Sequence, residues 1–279
     1  MRITSITVAA LCASFAAAPA EEPPGKARQH PGLAVIHQIP DLVQTDPMGK
    51  FARGGRSYCG PVAASNSLVW LKAGRNEPFH DNAAQCKVVN LLASPEYMNT
   101  HPVKGVGAVG LIRGVKRFVE NDIGDQDFQL SYQGWRSSPK GHFTGVKTPE
   151  LDWIRSFVGP GKSAWINLGW YRHNKARNEY ERIGGHWVTV VGHGADRNGR
   201  PNDHVIVIHD PSPRTGKDPH DFVVLRKLAG GTLTGNGSGL PRPAKGLFLM
   251  GGGMHIKSSA DVAILDGIVG LDLHPAKSR

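Results

Sequence analysis

Long apolar runs are missing from this 279-residue chain after its first twenty residues. No later segment approaches the roughly 18 uninterrupted apolar residues that a membrane-spanning helix needs, so we expect no transmembrane segment. No repeat of fixed period is visible, which argues against a solenoid or a propeller. The length after the first twenty residues suits one elaborated α/β domain with a sizeable core.

The motifs of phosphate and metal chemistry are also missing. The glycines of residues 230–239 lack a Gly-Lys-Ser/Thr ending and a following helix, so they do not form a phosphate loop. The chain has thirteen histidines but neither an H-E-x-x-H nor a C-x-x-C pair. We therefore expect no cofactor and no metal site, with a structural zinc site left open as the alternative.

Acidic residues are outnumbered in this sequence, with 23 Asp and Glu against 33 Lys and Arg and a net charge of +10. Such a balance favours an anionic partner, and outside the cytoplasm that partner is a cell-envelope surface of wall polymers or lipid head groups. The basic residues are scattered and are not interleaved with aromatic residues that would stack on bases. We therefore expect no nucleic-acid partner.

The first twenty residues contain the features of an export signal. A basic Arg2 precedes an apolar stretch over residues 6–17 and the small-residue segment Ala18-Pro19-Ala20. This pattern predicts cleavage after residue 20 and an exported protein, either periplasmic or secreted. Residues 21–38 are charged and rich in proline, which predicts a loose arm, and the remaining residues 39–279 are expected to form one domain.

Cysteine is scarce, and Cys59 and Cys86 are the two that lie outside the predicted signal. Cys59 opens the segment Cys59-Gly60-Pro61, after which apolar residues follow at helical spacing through Leu71. A helix N-terminus favours a thiolate over a thiol, which makes Cys59 a candidate nucleophile. Packing as a small hydrophobic residue is the alternative for Cys59 and the interpretation for Cys86, and a disulfide between the two stays open.

One histidine and one aspartate lie where a base and its partner would be held by strands. His186 follows two glycines at the start of the apolar run Trp187-Val188-Thr189-Val190-Val191, and Asp210 ends the apolar run Val205-Ile206-Val207-Ile208-His209. If the two strands are neighbours, the carboxylate reaches the imidazole. Cys59, His186 and Asp210 would then be a nucleophile, a base and the group that orients the base.

These three segments, in this order, resemble the bacteriocin-processing (double-glycine) peptidases and the wider papain-like cysteine peptidases. The resemblance covers about residues 39–228 and implies a papain-like α+β fold, with an N-terminal helical half and an antiparallel β-sheet. It also implies that Cys59, His186 and Asp210 are the catalytic triad.

The sequence departs from that family before the cysteine. The family places an oxyanion-hole glutamine about six residues upstream of its cysteine, where this chain has Arg53. The nearest upstream glutamine is Gln44, in a segment similar to the family's Pro-x-x-x-Gln lead-in, with residues 48–57 as a loop between it and Cys59. We therefore expect Gln44 to be the oxyanion donor.

The resemblance implies an exported thiol hydrolase, a cysteine peptidase that acts on a peptide or protein substrate. Two alternatives remain open at this point: an amidase or acyl transferase that acts on cell-wall peptides, and an inactive binding module of the same fold. The double-glycine specificity is not carried over, because it belongs to peptidases that are fused to transporters.

Hydrophobic periodicity predicts helices over residues 59–74, 82–93, 111–120 and 149–157, with strands in the second half of the chain. The polar segment 171–183 is interpreted as either a solvated hairpin or a loop beside the cleft. Residues 260–273 are expected to add a last strand or to cover a sheet edge.

Overall fold

The described part of the chain begins at residue 34. The computed structural model describes residues 34–74, 79–124, 126–213, 220–237 and 239–275. The predicted signal, residues 1–20, lies outside this range, as do residues 21–33 of the predicted arm. Within that arm, Ala34–Val35 form strand β1, which pairs antiparallel with residues 192 and 193.

The described residues form four α-helices: α1 (Cys59–Lys72), α2 (Asn82–Ala93), α3 (Ala108–Phe118) and α4 (Leu151–Arg155). The helix predictions are confirmed to within a few residues, and α2 has the predicted bounds because Asp81 caps it. The Asp81 carboxylate accepts a hydrogen bond of 2.8 Å from the backbone N–H of Ala84. Over the described segments, no helix has both the length and the apolar character that crossing a membrane requires.

The strands after β1 are β2 (Gln126–Gly134), β3 (Lys162–Asn174), β4 (Glu179–Ala195), β5 (Pro201–His209), β6 (Asp221–Lys227), β7 (Thr232–Gly235), β8 (Arg242–Pro243), β9 (Phe248–Gly252) and β10 (Val262–Pro275). Six of them form a closed antiparallel barrel in the order β3-β4-β5-β6-β9-β10, because β10 pairs with both β9 and β3. β2 extends the sheet along the second half of β10.

The predicted papain-like α+β fold is wrong. Among the residues that the structure describes, 36% lie in strands and 24% in helices of all types, and the sheet closes into a six-stranded barrel beside short helices. Closure depends on a register and tilt that bring β10 back to β3. Local alternation of apolar residues in residues 260–273 predicts a strand but contains no information on whether that strand closes the sheet.

The barrel has an apolar interior and a second apolar layer on its outside. Alternate residues of neighbouring strands fill the interior, among them Ile166, Leu168, Val188, Val190, Ile206, Ile208, Leu225 and Leu265. The intervening residues on the same strands, such as Trp165, Trp187, Val191 and Val207, face the helices and form a core with Leu68 and Leu111. Both cores are buried, so helices and barrel share one folded unit.

One backbone carbonyl ties α1 to the barrel. The carbonyl oxygen of Ala63, in the second turn of α1, accepts the indole N–H of Trp165 at 3.1 Å and the hydroxyl of Thr189 at 2.6 Å. Trp165 lies on β3 and Thr189 on β4, and all three residues are fully buried. This contact fixes the first turns of α1, and hence Cys59, against the strand that carries His186.

The polar segment 171–183 is the end of the β3–β4 hairpin. Tyr171 pairs with Arg182 and Asn174 with Glu179, so residues 175–178 form the turn. The hairpin interpretation is confirmed, and Arg182 and Ile183 also line the cavity described below.

Candidate active site

Cys59 is the first residue of α1 and is half-buried. The glycine that follows it is required by packing, because a Cβ at Gly60 would overlap the side chain of Val106. Val106 is itself held by Trp187, whose indole N–H donates to the Val106 carbonyl oxygen at 2.9 Å. The backbone N–H groups of Cys59 and Gly60, in the first helical turn, have no partner within the helix, so they place positive partial charge at this end of α1.

His186 and Asp210 form a direct, buried pair. The His186 ring nitrogen Nε2 lies 2.6 Å from the Asp210 carboxylate oxygen Oδ1, and both side chains are almost fully buried. Asp210 comes directly after β5, and His186 lies on β4 beside it. The neighbouring strands therefore bring these two residues together at one end of the barrel.

The surroundings of the pair decide the charge of both groups. Burial by itself lowers the pKa of His186, but the Asp210 carboxylate and the Cys59 thiol together raise that pKa to about 10. Burial by itself raises the pKa of Asp210, but the charge and hydrogen bond of His186, with further hydrogen bonds from Ser212, lower that pKa to about 2. At neutral pH the imidazole is protonated and the carboxylate is ionised.

Two residues that sequence analysis missed hold this pair in place. The Ser212 backbone N–H donates to Asp210 Oδ1 at 2.8 Å, and the Ser212 hydroxyl lies 3.1 Å from His186 Nε2. The Trp170 ring stacks on the imidazole with a centroid separation of 5.7 Å. The spacing Asp-Pro-Ser is typical of a turn in which an aspartate accepts from the residue two positions later, and that signal was available in the sequence.

Gln44 enters the same cavity from the segment before α1. Its side chain is buried, and its amide nitrogen Nε2 donates to the Gly55 carbonyl oxygen at 3.1 Å. The Gln44 backbone N–H donates to the carbonyl of Pro211, beside Asp210, at 2.8 Å. Residues 48–57 thus fold back and place Gln44 near Cys59, whereas Arg53, at the family's usual position, is exposed and does not line the cavity.

Cys86 is separate from this arrangement. It lies buried in a small core with Leu42, Phe51, Val62 and Val89, and both it and Cys59 are free thiols. Burial, followed by the nearby Asp46 carboxylate, raises the pKa of Cys86. The prediction that Cys86 packs in the core is confirmed.

The remaining chemistry-bearing residues do not gather into a metal site. Within the described ranges, no three His, Cys, Asp or Glu side chains lie close enough together to hold a metal ion. His209 does not line the cavity that contains Cys59, and its ring nitrogen Nδ1 lies 3.1 Å from the carbonyl oxygen of Pro40.

The site opens into a cavity of about 910 Å³. Its wall includes Gln44, Cys59, His186 and Ser212, together with Trp170 and the basic residues Arg56, Lys104, Arg136, Arg182 and Lys257.

Comparison with known proteins identifies no relative of this chain. No protein-family model matches the sequence, and a search of curated proteins gives no significant match. The function is therefore inferred from the arrangement of side chains in the cavity.

Proposed function

We propose that this protein is an exported thiol hydrolase that cleaves amide bonds, with Cys59 as the nucleophile, His186 as the acid and base, and Asp210 as the residue that positions His186. The observation that carries the proposal is the buried 2.6 Å contact between His186 and Asp210, since His186 lines the same cavity as Cys59. The sequence pattern of an export signal over residues 1–20 supports the extracytoplasmic part of the proposal.

The charge state of the site suits attack on a carbonyl carbon. The Cys59 thiol raises the pKa of His186, which means that the sulfur stabilises the protonated ring. His186 Nε2 is occupied by Asp210 and Ser212, so Nδ1 is the nitrogen that exchanges a proton with the sulfur. A thiolate paired with an imidazolium is the reactive form of a cysteine hydrolase.

The reaction proceeds in two stages. The Cys59 thiolate adds to the amide carbonyl carbon, and the resulting oxyanion accepts hydrogen bonds from the Cys59 backbone N–H and the Gln44 side-chain amide. The protonated His186 gives its proton to the amide nitrogen, the C–N bond breaks, and a thioester remains on Cys59. His186 then takes a proton from water, the resulting hydroxide adds to the thioester, and the acid product and the thiolate are released.

The hydrogen bonding of the Gln44 side chain supports this role. Its Nε2 carries two hydrogens, and the Gly55 carbonyl accepts one of them. The second hydrogen is available to an oxyanion in the cavity. A donor that is already fixed by another hydrogen bond needs no reorganisation during the reaction.

The test is covalent labelling combined with turnover. Iodoacetamide at pH 6, followed by peptide mapping, should modify Cys59 well before Cys86, because burial and Asp46 keep Cys86 as a thiol. Cys59→Ser should abolish hydrolysis of a mixed peptide library, and Cys86→Ser should retain it. Equal labelling of the two cysteines, or hydrolysis that survives Cys59→Ser, would rule out the proposed nucleophile.

A further inference from the structure

The cavity wall around Cys59 is strongly one-sided in charge. Five of its described residues are Lys or Arg and none is Asp or Glu. Three of the five, Lys104, Arg136 and Arg182, also line a narrower recess of about 140 Å³ that contains Cys59 and His186. The positive charge is therefore concentrated beside the proposed nucleophile.

Arg182 is built into this position by the fold. Its Nε lies 2.8 Å from the Asp266 carboxylate oxygen Oδ2, and both side chains are buried. Asp266 also accepts hydrogen bonds from the Tyr171 hydroxyl at 2.7 Å and from the Trp135 indole N–H at 3.2 Å. The guanidinium group is thus held at one edge, while its Nη2 end lies against Gly185, the residue before His186.

Two β-bulges create the contact between Arg182 and Asp266. On β4 the residue Ile183 is extra in the pairing with β3, and on β10 the residue Asp266 is extra in the pairing with the same strand. A bulge turns side chains away from their regular alternation, and bulges are frequent beside active sites. Because β3 lies between the two bulged strands, the two side chains meet across β3, where Gly169 leaves room for the Asp266 carboxylate.

Arg136 is the second fixed cation and has spare hydrogen-bonding capacity. Its guanidinium lies over the Trp135 ring at 5.2 Å from the centroid. Its Nη1 is buried and has no hydrogen-bond partner among the residues that the structure describes. A buried donor without a partner is costly, and a bound anion would remove that cost.

The positive charge of the arginines around Asp266 exceeds the negative charge of that one carboxylate. Arg136, Arg182 and Arg242 all interact electrostatically with the single carboxylate of Asp266. Asp266 itself is buried and already accepts three hydrogen bonds from the protein. One carboxylate against three guanidinium groups leaves an excess of positive charge, and two of the three, Arg136 and Arg182, line the recess that an anionic group would enter.

We propose that the recess binds a carboxylate of the peptide substrate, within about two residues of the scissile amide, through Arg136 and Arg182 with Lys104 at the entrance. The proposal rests on the proposed hydrolase function and names its substrate class. The planar fork of a guanidinium matches a carboxylate, which accepts two parallel hydrogen bonds. The 140 Å³ recess equals the liquid volume of roughly five waters, which is enough for a carboxylate and its methylene.

Binding is measured on the full chain with Cys59→Ala, so that no turnover is needed. The probes are fluorescein-labelled Ala-Gly octapeptides that carry one Glu at successive positions, each matched with a Gln peptide and made with a free or an amidated C-terminus. We expect at least one Glu peptide, or the free C-terminal acid, to bind about tenfold or more tightly than its neutral match. Tighter binding of a Glu peptide would identify the bound group as an acidic side chain. Tighter binding of the peptide with a free C-terminus would identify it as the terminal carboxylate.

Arg136→Gln, added to the Cys59→Ala chain, should remove most of that preference, and Arg226→Gln should keep it. Arg226 is an exposed arginine on β6 that does not line the cavity, so it controls for the loss of one charge. Arg182 is left unchanged because removing it would leave Asp266 buried without its cation. Equal binding of Glu and Gln peptides, no binding of any peptide, or equal effects of the two arginine variants would overturn the proposal.

Turnover by the protein with Cys59 intact separates this inference from the function on which it rests. Cleavage of neutral peptides at the same kcat/KM as acidic ones would refute the carboxylate recess and leave the hydrolase standing. Selective binding of acidic peptides without any cleavage would refute the hydrolase and leave the recess standing as a binding site.

Discussion

Gln44 and Gly55 are joined across a loop by a 3.1 Å hydrogen bond from the Gln44 amide nitrogen to the Gly55 carbonyl oxygen. Two short 3-10 turns, Pro47–Gly49 and Ala52–Gly55, form this loop. Gly55 has a φ of 75°, and a Cβ at this residue would overlap the Gln44 backbone carbonyl. The loop therefore holds Gln44 through a position that only glycine can occupy.

Gly55→Ala should weaken both folding and catalysis, and Gly54→Ala is its matched control. Gly54 also has a positive φ, of 66°, but a Cβ there meets nothing within 4 Å. We expect Gly54→Ala to lower the free energy of unfolding by about 1 kcal/mol through backbone strain alone. Gly55→Ala should cost roughly 2–4 kcal/mol and also lower kcat, because the overlap displaces Gln44. Urea unfolding and steady-state kinetics measure the two effects, and equal behaviour of the two variants would contradict this account.

Gln44→Ala should lower kcat by on the order of a hundredfold, because one donor to a developing oxyanion is typically worth about 3 kcal/mol. The Michaelis constant should change little, since the interaction forms in the transition state. The lost hydrogen bond to Gly55 should cost only about 1 kcal/mol of folding stability. Turnover within a few-fold of the unmodified protein would show that another group serves as the donor.

Asp210→Asn and Asp210→Ala should distinguish two contributions of Asp210 to catalysis: its orientation of the His186 ring and its negative charge. Oδ1 of Asp210 is the acceptor for both His186 and the Ser212 backbone, and an asparagine can place its side-chain oxygen at the same point. We expect kcat/KM to fall about tenfold for the asparagine, which loses the charge-assisted part of the bond. The alanine frees the ring and should lose on the order of a hundredfold. An alanine variant as active as the asparagine variant would show that Asp210 does not position His186.

The pH dependence of folding stability should follow the His186–Asp210 pair. The pKa of His186 is raised from 6.5 to about 10, so its contribution is complete below pH 6.5 and is lost as pH rises through 10. The pKa of Asp210 is lowered from 3.8 to about 2, so its contribution is complete above pH 3.8 and is lost as pH falls through 2. The difference in unfolding free energy between the unmodified protein and His186→Gln should therefore be largest between about pH 4 and 6.5. Urea titrations across the pH range measure this, and a difference that stays constant from pH 6 to 10 would contradict it.

Much of the local structure could be predicted because its causes lie within a few residues. The helix start at Cys59 follows from Cys59-Gly60-Pro61 and the apolar spacing after it, and the start of α2 follows from its Asp81 cap. Two apolar runs predict the strands of His186 and Asp210, and the structure pairs those strands. Short-range patterns were sufficient for these features.

The closed barrel and the Arg182–Asp266 pair could not be predicted, since both depend on pairing between distant strands. The polar neighbours of Arg182 indicate a solvated or cleft-side segment, yet Arg182 is buried against Asp266. The local sequence does not predict the bulges at Ile183 and Asp266. Their effect on side-chain direction exists only once the register with β3 is set.

Because β10 closes the barrel, the site can form only after β10 has been synthesised. The β3–β4 hairpin emerges from the ribosome well before β10, the last described strand, which supplies Asp266 and the pairing partner of both β3 and β9. Until β10 pairs, Arg182 lacks its counter-ion and β3 has an open edge. The sheet that holds His186 is then incomplete. We therefore expect Cys59 and His186 to be held in their final arrangement only after β10 has paired with β3 and β9.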